Sequence, residues 1–194
     1  IEQVKDMLFR GRANYRYRAS TAYSEGYPDW SRDELVGHVG RKRRSGGWKT
    51  IQGEDRAVGQ LFGGCIEVLE MMKGTAFWPP RSFWDGKVLF LETSENMPTP
   101  DNVRYMLRNY GMQGVLDDIS ALLFGRPRGY DRVGKRRLAR VLCQVAEEFG
   151  RTDLPIVTDM EFGHTDPQMV LPLGLKAEVD PAGPGLRLLE RTVV

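Results

Sequence analysis

Residues 87–93, KVLFLET, decide the fold class, because four consecutive apolar residues run directly into a carboxylate. An uninterrupted apolar run of strand length is typical of a strand that is buried on both faces. ISALLFG (119–125) and LPIVTDM (154–160) have the same character, and helical patterns lie between the three runs in 101–111 and 135–150. This alternation predicts an α/β domain in which helices pack on a mixed sheet.

The flanking segments extend the same pattern. AVGQLFGG (57–64) predicts a strand that runs into a turn, and CIEVLEMMKG (65–74) predicts a helix that ends at Gly74. Near the C-terminus, GLKAEVD (174–180) and GLRLLERTVV (185–194) are two short strand candidates joined by the turn signal PAGP. We therefore expect a hairpin to close the domain.

The first part of the chain has a different composition. Residues 1–47 are rich in Arg, Tyr, Ser and Gly, and only IEQVKDMLF (1–9) has helical spacing. We predict a connector without a core of its own, followed by one domain over residues 48–194. The basic run Arg41–Arg44 could hold a phosphate, but no second basic cluster in the sequence supports this, so a solvated linker is the preferred interpretation. Because the chain begins with Ile1 rather than Met, we expect it to be a piece of a longer or processed protein.

Charge and composition exclude several classes of function. The 194 residues include 28 Lys and Arg against 26 Asp and Glu, a net charge of +2, whereas nucleic-acid binders usually carry a concentrated basic excess. No apolar run approaches the ~20 residues of a membrane-spanning helix. The start of the chain is charged throughout, unlike a signal peptide. We expect neither nucleic acid nor a membrane as partner, and a cytoplasmic location.

Three candidate positions follow predicted strands. Gly63 and Gly64 would let the backbone approach a ligand, although a tight turn is the preferred explanation of the two glycines alone. Cys65 then begins a helix, which would lower its thiol pKa, although a small packed residue is the default interpretation. Cys65 and Cys143 lack the spacing of a zinc site, so we expect free thiols and no metal. Glu92 lies at the end of a buried strand, where open α/β sheets place ligand-binding residues.

His164 is the third candidate, in the turn GHTDP. Histidine is the usual side chain for proton transfer near neutral pH, and a carboxylate such as Glu92 could orient its ring. The alternative for Glu92 is an exposed residue at the start of a loop, and the alternative for His164 is a turn histidine that bonds locally. The two residues are 72 positions apart (164 − 92), so their spacing in the sequence cannot show that they are in contact. Glu95 and His38 have the character of surface residues. No serine lies in a Gly-x-Ser elbow, so a nucleophile would have to come from elsewhere.

The motifs GQLFGGCIEVLEMMKGT, KVLFLETSENMPTPDNVRYMLRNYGMQGV, ISALLFGRPRGY and LPIVTDMEFGHTDPQMVLPLGLKAEVD occur here in the order found in one family. From about Trp48 onward the chain resembles the C-terminal half of the LD-carboxypeptidases, in the branch around microcin C self-immunity proteins. The resemblance implies a swivelling β/β/α domain of a metal-independent serine hydrolase that needs no cofactor. Its nucleophilic Ser lies in an N-terminal domain, which this chain would lack.

By motif match, the resemblance implies that Glu92 and His164 are the carboxylate and the base of a Ser-Glu-His triad. Gly63, Gly64, Cys65 and Thr93 would lie near the substrate, with Cys65 at a position where many members have Asn. The implied substrate is a terminal L,D-peptide bond of murein peptides or an aminoacyl-nucleotide amide, and the implied assembly is a homodimer. The alternative hypothesis is a non-catalytic interaction or dimerisation module.

Overall fold

A computed structural model describes residues 2–26 and 28–193. The strands are β1 (Ala22–Glu25), β2 (Arg43–Arg44), β3 (Lys49–Gln52), β4 (Ala57–Cys65), β5 (Val88–Glu92), β6 (Ala121–Gly125), β7 (Ile156–Met160), β8 (Thr165–Asp166), β9 (Lys176–Asp180) and β10 (Gly185–Leu188). The α-helices are α1 (Glu2–Lys5), which continues as a π-helical turn, α2 (Ile66–Met72), α3 (Pro100–Met112), α4 (Val115–Asp118) and α5 (Arg132–Glu148).

Seven strands form one mixed sheet in the order β10-β9-β4-β5-β6-β7-β3. Strands β4 to β7 are parallel, whereas β3 joins β7, and β9 joins β4, in antiparallel pairs. A second sheet, β2-β1-β8, connects the first fifty residues to the segment after β7. The prediction of an α/β fold with a mixed sheet and packed helices is confirmed, as is the closing hairpin of β9 and β10.

The central strand β5 shows why both faces of the sheet are covered. Successive side chains of a strand point to opposite faces. Leu89 and Leu91 therefore pack into the core beneath α2, α3 and α5, while Val88 and Phe90 belong to a second core on the other face. Met7 and Tyr17 of the predicted connector, and Trp48 at the start of the predicted domain, are buried in that second core. The first fifty residues thus pack onto the sheet; the domain boundary at residue 47 stays a prediction.

Some elements differ from expectation at their ends. Helix α5 begins at Arg132, inside a segment predicted to be a loop, because the Asp131 side chain accepts a hydrogen bond from the Gly134 N–H and caps the helix. Strands β1, β2, β3 and β8 and helix α4 were not predicted, since each has only two to four residues and so too short a pattern to recognise. Ile1 and Val194, at the outer ends of the first predicted helix and the last predicted strand, lie outside the described residues.

A buried ion pair joins the connector to the carboxyl ends of the strands. Arg126 and Glu161 are each 2% exposed, and Arg126 Nη2 lies 2.6 Å from Glu161 Oε1. Glu161 also accepts hydrogen bonds from the Ser20 N–H and the Trp48 indole, while Arg126 donates to Ser45 Oγ at 3.1 Å. The pair therefore satisfies polar groups from two parts of the connector and from the first residue of the predicted domain.

We expect Arg126→Met to lower the free energy of unfolding by about 3–5 kcal/mol, because it leaves the Glu161 carboxylate buried without its cation. Urea denaturation monitored by tryptophan fluorescence measures the change. Arg140→Met is the control, since Arg140 is exposed and forms no ion pair within 2–26 and 28–193. Equal stability losses in the two variants would contradict the assignment.

Candidate functional site

The candidate site lies at the edge where the parallel strands end. Cys65 ends β4 and Glu92 ends β5, and these two residues are paired in register. His164 follows β7 and precedes Asp166 of β8, which pairs with β1. Because the carboxyl ends of parallel strands share one edge of a sheet, three segments that are distant in sequence meet there.

Glu92 and His164 are in direct contact. Glu92 Oε2 lies 2.8 Å from His164 Nδ1, and Glu92 is 7% exposed whereas the His164 side chain is 29% exposed. Burial raises the pKa of Glu92 above its ordinary value, and the hydrogen bond with His164 opposes that rise. A carboxylate at Nδ1 can hold an imidazole ring in one orientation and one tautomer, which leaves proton exchange to the other ring nitrogen, Nε2.

Glu95 takes the other ring nitrogen. Its Oε2 lies 2.9 Å from His164 Nε2, so the imidazole is held between two carboxylates. The prediction that Glu95 is a surface residue holds for its exposure, since 58% of the side chain is accessible. The contact with His164 was missed, because only the folded path of the loop that follows Glu92 brings Glu95 back over the ring.

Gly163 determines how closely this loop can approach Glu92. Its φ is +101°, and a Cβ placed on it would lie 2.4 Å from Glu92 Oε2 and 2.8 Å from Glu92 Cβ. The peptide before His164 therefore passes directly over the carboxylate, where no larger residue fits. Sequence reasoning did not single out Gly163, although its position beside His164 was a usable signal.

Gly163→Ala should separate Glu92 from His164 and lower the free energy of unfolding by about 1–3 kcal/mol, since overpacking forces the loop or the carboxylate to move. The Nδ1 proton resonance of His164, measured by NMR, reports the loss of the contact. Gly174→Ala is the matched control: its φ is +81°, so it has similar backbone strain, but no atom lies within 4 Å of the added Cβ. An unchanged His164 resonance in Gly163→Ala would refute this.

The four predicted substrate-binding residues are placed differently from one another. A Cβ on Gly63 would lie 1.7 Å from the Phe90 carbonyl oxygen, so this glycine is required for the packing of β4 on β5. Gly64 has open space around it. Thr93 is buried, and its Oγ1 has no hydrogen-bond partner among the described residues. Cys65 lies beside Glu92, with its Sγ 3.5 Å from Glu67 Oε2.

The expected lowering of the Cys65 pKa is wrong. Burial raises the pKa of Cys65 to about 11, and the carboxylates of Glu92 and Glu67 act in the same direction. Backbone N–H groups at the start of α2 do favour the thiolate, as predicted, but burial outweighs them. Cys65 is therefore a neutral thiol near pH 7.

We expect Cys65 to react slowly with iodoacetamide in the folded protein. With a pKa of about 11, the thiolate population at pH 8 is about a hundredfold smaller than that of an ordinary cysteine. The measurement uses Cys143→Ser, so that one thiol reports, and follows alkylation by mass spectrometry from pH 7 to 10. The same variant in urea is the control, and a native rate equal to the unfolded one would contradict the prediction.

The described part of the chain has neither a cluster of metal ligands nor a membrane-spanning helix. Within 2–26 and 28–193, no three His, Cys, Asp or Glu side chains are grouped as they would be around a metal ion. Among the same residues, no helix combines the length and the apolar character that crossing a bilayer requires.

Comparison with known proteins shows the family to which this domain belongs. Residues 58–179 match the family model of the LD-carboxypeptidase C-terminal domain. The chain belongs to the LD-carboxypeptidase family. The microcin C7 self-immunity protein MccF of Escherichia coli is 30% identical over 130 residues, which are 66% of this chain and 36% of that protein. A probable murein peptide carboxypeptidase of Bacillus subtilis is 30% identical over 131 residues, 66% of this chain and 38% of that protein.

Solved structures give the same assignment of fold. An MccF-like protein from Streptococcus pneumoniae, in complex with AMP, superposes with a TM-score of 0.81 at 26% identity over 96% of this chain and 56% of that one. MccF in complex with glutamyl sulfamoyl guanosine gives a TM-score of 0.82 at 23% identity, over 100% of this chain and 55% of that one. The chain thus spans little more than half the length of these structures, and less than half of the two curated relatives.

Proposed function

We propose that this chain is the C-terminal half of a serine carboxypeptidase or amidase and that it supplies Glu92 and His164 to a Ser-Glu-His triad. The observation that carries the proposal is the 2.8 Å contact between Glu92 Oε2 and His164 Nδ1 at the carboxyl edge of the sheet. Membership of the LD-carboxypeptidase family supports it. The nucleophile would come from an N-terminal domain outside this sequence.

The chemistry would be acyl transfer at an amide or peptide bond. The serine hydroxyl attacks the carbonyl carbon while His164 Nε2 accepts its proton, and the protonated imidazole then gives that proton to the leaving amine. Water repeats the sequence on the acyl-enzyme and releases the acid. Throughout, Glu92 keeps Nδ1 protonated and the ring in place, and it stabilises the imidazolium as it forms.

Glu95 must leave His164 before this reaction can begin. One ring nitrogen cannot bind the Glu95 carboxylate and the serine hydroxyl together, and the two lie on the same side of the imidazole. The Glu95 side chain is 58% exposed, so it can rotate into solvent at little cost in packing. We infer that docking of the nucleophile domain or of substrate displaces it.

Two substrate classes are consistent with the family. Murein peptides that end in an L,D-bond present a free carboxylate beside the scissile bond, and an aminoacyl-nucleotide amide presents a nucleoside instead. The names of the relatives include both a murein peptide carboxypeptidase and a microcin self-immunity protein. Cys65 occupies the position near Glu92 where the resemblance implies Asn, and a thiol cannot replace the donor and acceptor of an amide.

The test uses the protein extended upstream of Ile1 to its natural start. We expect it to release D-alanine from murein tetrapeptide or to cleave an aminoacyl-sulfamoyl adenylate, and we expect His164→Ala to reduce kcat by about 10⁴-fold. Glu95→Ala should retain at least wild-type kcat, because it removes the group that competes for Nε2. His38→Ala is the matched control, since His38 is the other histidine and is exposed.

The outcomes separate the hypotheses. Cleavage that His164→Ala abolishes supports the triad and selects the substrate class. Cleavage that survives His164→Ala contradicts the role of His164 as base. A Glu95→Ala variant as inactive as His164→Ala would contradict the displacement of Glu95 and would place that carboxylate in the reaction. No cleavage, together with an upstream sequence lacking a Gly-x-Ser elbow, would favour the non-catalytic module.

A further inference from the structure

A cleft separate from the Glu92–His164 pair opens between the connector and the start of α5. Its volume is about 730 Å³. Its lining includes Tyr23 of β1, Arg44 of β2, Arg126 after β6, and Arg132 and Lys135 of α5. Neither Glu92 nor His164 lines this cleft.

Cationic groups predominate in the lining. Two acidic residues, Asp131 and Asp159, line the cleft, against six basic ones: Arg43, Arg44, Lys49, Arg126, Arg132 and Lys135. Three of the six basic residues already form ion pairs with Asp159 or Glu25. Asp159 pairs with Lys49 at 3.0 Å and with Lys135 at 3.3 Å, and Arg43 pairs with Glu25 at 2.9 Å.

Three cationic groups remain available after this pairing. Arg44 and Arg132 are exposed and form no ion pair with any residue in 2–26 or 28–193. Arg126 binds Glu161 through Nη2, but its Nη1 is buried and has no hydrogen-bond partner among the described residues. A buried guanidinium nitrogen without an acceptor is costly, and an oxyanion in the cleft would supply that acceptor.

Two of the cations that line the cleft are held by an aromatic ring. The Tyr23 ring contacts two of them, with Arg126 Cζ 4.5 Å and Lys135 Nζ 5.0 Å from its centroid. The amino end of the 17-residue helix α5 contributes a further partial positive charge at the same wall. The sequence analysis preferred a solvated linker for Arg41–Arg44 because no second basic cluster was visible in the sequence. In the structure, Arg43 and Arg44 line the same cleft as Arg126, Arg132 and Lys135, which form such a cluster.

We propose that this cleft is a binding site for a phosphate group, held by Arg44, Arg132 and the free nitrogen of Arg126. Guanidinium groups bind phosphate oxygens through paired, charge-assisted hydrogen bonds, and a tetrahedral dianion can use all three groups at once. The phosphate is either free inorganic phosphate or the phosphomonoester of a nucleotide. This site does not depend on the proposed hydrolase activity.

The experiment is isothermal titration calorimetry on the upstream-extended protein in a phosphate-free buffer, with inorganic phosphate, AMP and adenosine as separate titrants. We expect saturable binding of phosphate or AMP that is weakened roughly tenfold or more in Arg44→Gln/Arg132→Gln, since each lost charge-assisted bond removes a direct contact. The matched control, Arg136→Gln/Arg140→Gln, removes the same charge from exposed positions of α5 outside the cleft and should bind like wild type. Circular dichroism confirms that both double variants fold.

Each result decides the proposal. Phosphate binding that weakens in the cleft variant alone supports free phosphate as the ligand, and AMP binding that weakens there alone, with adenosine inactive, supports a nucleotide. Three results would overturn the site: no binding of either anion, equal weakening in both double variants, or AMP and adenosine binding with the same affinity.

Discussion

The rest of the structure depends on the buried ion pair between Arg126 and Glu161. It lies where β6 and β7 end, and it binds Ser20 and Ser45 of the connector and Trp48 just after the connector at that edge. Two buried charges are expensive to desolvate, and they are tolerated because they pair with each other and because Arg126 Nη2 and both Glu161 carboxylate oxygens form further hydrogen bonds. The pair also fixes the point from which the loop to His164 departs, so the same interaction anchors the connector and aims the histidine.

The geometry of the candidate site depends on two glycines at which backbone segments lie unusually close to their neighbours. Gly163 passes over Glu92, which sets the distance from Oε2 to the imidazole, and Gly63 lets β4 lie tightly against β5 so that Cys65 and Glu92 are neighbours. Glu92 is buried at this position and Cys65 is half-buried beside it. Burial therefore raises the pKa of Glu92 and of Cys65, whereas the imidazole remains partly accessible to a group arriving from outside.

The sequence was sufficient for the features that have local causes. The run VLFL predicted the buried strand β5, and strand ends predicted Glu92 and His164 as candidates. Their contact could not be derived, because the chain between them, a separation of 72 residues, folds through three helices and two further strands before it returns. Cys65 was misjudged for a related reason: a helix start is visible in the sequence, but burial beside two carboxylates is a property of the fold. The basic cleft likewise joins β2 to α5, which are almost ninety residues apart along the chain.

The candidate site and the cleft therefore differ in charge. The carboxylates of Glu92 and Glu95 contact His164, whereas the cleft is lined by Arg44, Arg132 and Arg126 with its free nitrogen. Opposite charges a few ångströms apart interact strongly near a protein surface, so an anionic group is attracted to the cleft. A substrate carboxylate at the candidate site would instead meet Glu95, so the proposed displacement of Glu95 would also remove a like charge from the place where that carboxylate binds.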